Sequence, residues 1–214
     1  MFRSALLVTA VLVCSACGSS AFDAEPYGGV ASDVEAGEGA RVTRYSLGRA
    51  TADSVTTARV VADSDSATTR WDLGFRGAEV LLNGGASGPG AGVGVVVDVP
   101  FEEVTDALND SYTYRRDGES PCPSGPARAV CTGDGDGLFE RLPLAGGGEA
   151  VVPVPGRTLL LRLGDGQGYA KVRFLSTYRG APDVATLDGS EEGGVYTFEY
   201  YVNPDGSSFL PEED

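Results

Sequence analysis

Histidine is absent from all 214 residues, methionine occurs only as Met1, and 16 lysines and arginines face 31 aspartates and glutamates. Without imidazole, the usual general base for a serine or cysteine nucleophile is missing, and so are the histidine ligands of mixed zinc sites. A formal charge of −15 repels phosphate backbones, which excludes nucleic acid as a natural partner. The acidity reads as a solvated surface rather than as a binding patch. No apolar run reaches the roughly 20 residues that a membrane-crossing helix needs. Carboxylate neighbours such as Glu102 and Glu103 point different ways on a helix, and no catalytic constellation emerges, so the expectation is a protein that is not an enzyme.

What is present begins at the amino terminus. Arg3 precedes an apolar run from Ala5 to Val13, and the small residues Ser15 and Ala16 stand before Cys17. That order marks a removable export segment, and a cysteine after small residues resembles a bacterial lipobox, with Cys14 standing where leucine is usual. The reading is a signal peptide over 1–16 and a diacylglyceryl group on Cys17. The chain would then be exported and lipid-anchored to the outer membrane, at the cell surface. Ordinary secretory cleavage without lipid is the alternative. Residues 17–40 are rich in Gly, Ala, Ser, Asp and Glu, a composition that buries too little to offset ordering entropy, and read as a flexible tether. Residues 41–214 are the size of one domain able to close its own core.

The fold expected over 41–214 is all-β, antiparallel sheets with at most one or two short helices. Helical spacing occurs only in Phe101, Val104, Ala107 and Leu108 behind Pro100, predicting a helix over 101–108. Strand patterns occupy 55–61, 79–82, 158–163, 169–175 and 196–202, with turn signals at 164–168 and 203–206. In 169–175, Lys171 and Arg173 alternate with Ala170, Val172 and Phe174, predicting one wet and one packed face. Tyr196, Phe198 and Tyr200 share a face that reads as core. In Trp71–Arg76, Asp72 and Arg76 are near enough in sequence to pair. From Asn109 to Pro155, Gly, Pro, Asp and Ser crowd a stretch that reads as an ordered irregular region. Cys122 and Cys131 lie within it; in an oxidising compartment a disulfide is their expected state, with half a zinc site as the rival. Asp134 and Asp136 have the short spacing of calcium ligands without the rest of an EF-hand loop.

Three blocks together resemble the HmuY family of haem-binding lipoproteins: Trp71–Arg76 running on to Asn83–Gly92, Tyr169–Tyr178, and Tyr196–Tyr200 with Asn203–Gly206. Their order and the preceding lipobox agree, over about Arg41 to Phe209. The resemblance implies an all-β, hand-shaped fold holding haem or a related porphyrin between extended fingers. Its two axial iron ligands, His or Met in that family, come from the middle region, and an outer-membrane receptor is a possible partner. This chain departs from the pattern, since it has no His and loses Met1 with the signal peptide.

Tyrosinate or thiolate can also hold haem iron. Tyr112 and Tyr114, followed by Arg115 and Arg116, are the substitute candidates, the phenols as metal ligands and the guanidinium groups as partners for propionates or as charges that lower a phenol pKa. The competing reading has both tyrosines packing on one face of a short strand beside two solvated arginines. Two functions therefore stand side by side: haem acquisition with substitute ligands or apolar contact alone, and a non-haem surface scaffold that contacts another protein.

Overall fold

The computed structural model describes residues 25–51, 54–119, 122, 126–133, 135 and 137–209. The stretch read as a signal peptide, with Cys14, and the cysteine read as its lipidation site, Cys17, lie outside the described residues, as do Asp134 and Asp136. Thirteen strands follow one another: β1 (Tyr27–Glu35), β2 (Thr43–Ser46), β3 (Arg49–Thr51), β4 (Ser54–Thr56), β5 (Arg59–Val60), β6 (Leu73–Arg76), β7 (Glu79–Leu82), β8 (Val93–Val97), β9 (Phe139–Pro143), β10 (Glu149–Pro153), β11 (Thr158–Arg162), β12 (Tyr169–Tyr178) and β13 (Gly193–Asn203). Five of them form an antiparallel sheet in the order β1-β13-β12-β11-β8, and four form a second in the order β5-β2-β6-β7. Two hairpins, β9-β10 and β3-β4, complete the all-β, antiparallel architecture that the sequence predicts.

The inner faces of the two large sheets meet in one core, as side-chain alternation requires of sheets buried on one side. Leu73, Phe75 and Leu82 come from the smaller sheet, and Leu159, Leu161, Ala170, Val172 and Phe198 from the larger. Phe75 stacks on Tyr196 with centroids 4.8 Å apart and meets Phe198 at 5.7 Å. The aromatic stripe of β13 is therefore core, as its pattern implies. A second apolar cluster covers the other face of the larger sheet, where Leu160, Val97, Val104, Ala107 and Phe209 pack with Tyr112, Tyr114, Tyr169 and Tyr201. Burial on both faces explains why β11 reads as a continuous apolar run.

Five local expectations are corrected. The strand expected over 55–61 is interrupted at 57–58, with β4 paired to β3 and β5 to β2. Tyr27–Glu35, within the stretch read as tether, is an edge strand registered against β13 from Tyr27↔Val202 to Glu35↔Val195. It buries Ala31 and Val34, two apolar side chains that a composition average hides. The helix expected over 101–108 is a single 3-10 turn, Phe101–Glu103, after which Val104 is extended. The carbonyls of Phe101 and Val104 accept from Lys171 Nζ (2.8 and 2.9 Å), and residues 105–107 pair instead with 207–209. Lys171 is accordingly not on a wet face but 7 % exposed, its ammonium lying over the rings of Phe101, Tyr201 and Phe209. Finally, Asp72 does not pair with Arg76. The β6-β7 hairpin sets Arg76 opposite Glu79, and Asp72 meets Arg49.

Candidate functional site

The segment following the 3-10 turn carries the residues singled out for ligand binding, and tertiary contacts hold it in place from both ends. Asp117, 1 % exposed, accepts from Leu82 N (3.0 Å) and Ala129 N (2.8 Å), so one buried carboxylate ties this segment to β7 and to the disulfide loop. A buried carboxylate is tolerable only when its lone pairs are used in this way. Cys122 and Cys131 are joined, with Cα atoms 5.4 Å apart, and Cys131 O accepts from Leu138 N just before β9. The disulfide expected from the cysteine count is present, and thiolate ligation by either residue is thereby removed. Regular structure in the middle region exceeds the expectation, since the β9-β10 hairpin lies within the stretch read as irregular.

The glycine-rich loop after β7 is organised by Asn83. Its Nδ2 donates to Thr68 O (2.9 Å) and Trp71 O (2.8 Å), and its Oδ1 accepts from Gly90 N (3.0 Å). A Cβ on Gly90 would overlap the backbone oxygens of Asn83 and Gly164, so the glycine there permits close backbone approach. This block is a structural clasp.

Tyr112 and Tyr114 lie on the same side of their segment and turn into the second apolar cluster. Tyr114 Oη donates to Ala107 O (2.9 Å), and its ring meets the edge of Tyr169 at 6.0 Å. Burial, reinforced by Tyr169, Tyr112 and Asp106, raises the Tyr114 phenol well above its ordinary range. That direction is opposite to the lowering expected from neighbouring arginines. Arg115 and Arg116 are exposed, so their charges are screened and face water rather than the phenols. Backbone bonds occupy both residues: Arg115 exchanges a pair with Gly94, and Arg116 N donates to Glu119 Oε2 (3.0 Å). The structure thus brings the four candidates onto one segment but does not converge them on one point. As folded, they do not fit axial ligation of haem iron. Among the described residues no group of three or more His, Cys, Asp or Glu is placed to hold a metal ion.

Between this segment and β8 lies an opening of about 260 Å³ lined by Val96, Asp98, Ser111, Thr113, Arg115 and Cys131, among others. A second cleft, about 320 Å³, lies beside the 3-10 turn between Pro153–Arg157 and Phe101, with Leu175 and Val184 exposed at its wall. Arg157 and Arg173 border it, already paired with Asp98 and with Glu102 and Glu199 respectively. The sequence reading missed Lys171, Asp117 and Asn83 as organising residues. An isolated polar residue inside an apolar pattern was the available signal for the lysine alone.

No family model matches this chain, and no curated protein matches it. Among solved structures, the crystal structure of an apo HmuY analog from Tannerella forsythia is similar, at 12 % identity and a TM-score of 0.45, covering 85 % of this chain and 98 % of that one. No residue role is carried across at that level of similarity.

Proposed function

We propose that this chain is an exported, lipid-anchored β scaffold that binds a partner molecule and performs no catalysis, with neither Tyr112 nor Tyr114 acting as an iron ligand. The observation that carries this reading is the commitment of the Tyr114 phenol to Ala107 O inside an apolar cluster. Ligation would require that bond to be broken and the ring to be withdrawn from its packing, at a net cost of about 1 kcal/mol for the hydrogen bond alone. The lipobox at Cys17 supports anchorage. Because β1 begins at Tyr27, a lipid on Cys17 would hold the domain within about 35 Å of the bilayer. An outer-membrane receptor is a suitable partner for a protein so placed.

The HmuY resemblance favours a second reading, in which haem is held by apolar contact. The exposed Leu175 and Val184 at the cleft beside Phe101 are the observation in its favour. Titration of the purified protein with haem, read at the Soret band, tests both. The scaffold reading expects no saturable shift. A saturable shift that is unchanged in Tyr112→Phe and Tyr114→Phe establishes the second reading, whereas one abolished by either substitution overturns the assignment of these phenols to packing.

A further inference from the structure

The opening beside β8 is an unzipped strand pair. Gly94 N donates to Arg115 O (2.9 Å) and Arg115 N to Gly94 O (3.0 Å), the bond exchange of an antiparallel pair. Continuing that register would set Thr113 opposite Val96 and Ser111 opposite Asp98. No hydrogen bond joins either pair among the described residues, and the 260 Å³ opening is lined by these same positions. The cause is local. Asn109 Oδ1 accepts from Ser111 N (3.0 Å) and Ser111 Oγ (2.7 Å), and Asn109 O accepts from Tyr112 N (2.9 Å), a turn that draws the chain away from β8.

Three properties of the wedge define its occupant. Gly94 directs its N–H and C=O away from β11, so by the two-residue period of a strand Val96 directs its own into the wedge, a free edge able to pair with added backbone. The Gly94–Arg115 bridge closes one end, so a continuous strand cannot pass through and a chain terminus can. At that closed end stands Arg115, an exposed guanidinium with no ion pair among the described residues of a chain whose net charge is −15. Asp98, the acidic residue lining the opening, is paired with Arg157 at 2.6 Å. The volume, about 260 Å³, lies below the roughly 300–1,000 Å³ of pockets that enclose drug-sized molecules.

The geometry points to capture of the C-terminal end of an extended polypeptide, its last few residues pairing with the Val96 edge and its terminal carboxylate meeting Arg115. A guanidinium–carboxylate contact of this kind is charge-assisted and can be bidentate. The inference rests on the reading of the chain as a binding module and names the chemistry of its partner.

The test is a titration of the isotope-labelled protein with an N-acetylated tetrapeptide library bearing free carboxylates, followed by amide chemical shifts. Saturable shifts confined to residues 94–98 and 111–115, weakened about tenfold by amidating the library and about tenfold by Arg115→Gln but not by Arg116→Gln, are expected. The amidated library makes the test independent of whether any variant folds. Absence of saturable shifts at millimolar peptide, equal binding of acid and amide, or shifts centred elsewhere would each overturn the assignment. The haem titration reads a different band and a different ligand, so either proposal can fail while the other stands.

Discussion

Asp72 shows how a single residue can join two sheets. Its side chain is fully buried, Oδ1 accepts from Gly164 N (2.9 Å) and Arg49 Nη2 (2.8 Å), and Oδ2 accepts from Leu47 N (2.8 Å) and Arg49 Nη1 (2.7 Å). Arg49 also reaches Asp165 at 2.7 Å, so the turn after β11 is tied to the start of the β3-β4 hairpin. Removing one member of a buried pair leaves the other charge uncompensated, which typically costs about 3–5 kcal/mol. Asp72→Ala is therefore expected to lower the unfolding free energy in urea by that amount. A loss below about 1 kcal/mol would show that solvent or another group takes over the guanidinium. Proximity along the chain suggested Arg76 as the partner of Asp72. The actual partner stands 23 residues away, a distance over which a sequence carries no pairing information without the register of the strands between.

At the scale of elements, the disulfide loop and the edge strand show opposite degrees of legibility. Cys122 and Cys131 were identifiable because the reading of an exported chain and the cysteine count left them one partner each, and the structure joins them across a sequence separation of 9. Closing so short a loop stabilises by roughly 2.5–3 kcal/mol through the denatured chain. The double variant Cys122→Ala with Cys131→Ala is expected to lose about that much in equilibrium denaturation with little change in far-ultraviolet circular dichroism. Loss of the β signature itself would mean the loop nucleates the fold. Strand β1 was hidden because five of its nine residues are exposed, and its two buried side chains fall three positions apart across a register shift between Ala31 and Val34. A step of three breaks the two-residue alternation of a strand, and a single such pair is too short to mark a helix. The 101–108 segment failed in the other direction: its apolar spacing suited a helix, but Lys171 claimed the carbonyls that a helix would have used internally.

For the whole molecule, the common consequence of burial is alkaline sensitivity. The phenols of Tyr27, Tyr45, Tyr114, Tyr196 and Tyr200 are all raised, chiefly by desolvation, with Tyr45 pushed up to about 12. A phenol in the unfolded chain ionises near 10. Between these values the folded state holds more protons than the unfolded one, so stability is full below about pH 10 and falls as pH rises through the folded values. Lys171 acts in the opposite sense, because burial lowers its ammonium and the unfolded chain then binds the extra proton, but it is one group against five. Tyrosinate absorbance is expected to rise together with loss of the circular dichroism signal above about pH 10. A smooth titration with the fold intact would show that these rings reach solvent without unfolding.

The sequence by itself determined the fold class, the strands at 79–82, 158–163, 169–175 and 196–202, the disulfide and the absence of imidazole, because each depends on alternation, composition or count. Alternation of apolar side chains makes a half-buried strand wherever it occurs, and a missing residue type is missing from every conformation. Only the tertiary structure decided which polar residues are internal and what the middle segment presents. Lys171, Asp72, Asp117 and Asn83 are inside because carbonyls, amides or guanidinium groups distant in sequence surround them. Tyr112 and Tyr114 are partly buried against the second apolar cluster, a placement their spacing alone left open. The divergence of residues 111–113 from β8 required a turn at Asn109 and a bridge at Gly94 together, and no local pattern encodes two strands that begin to pair and then part.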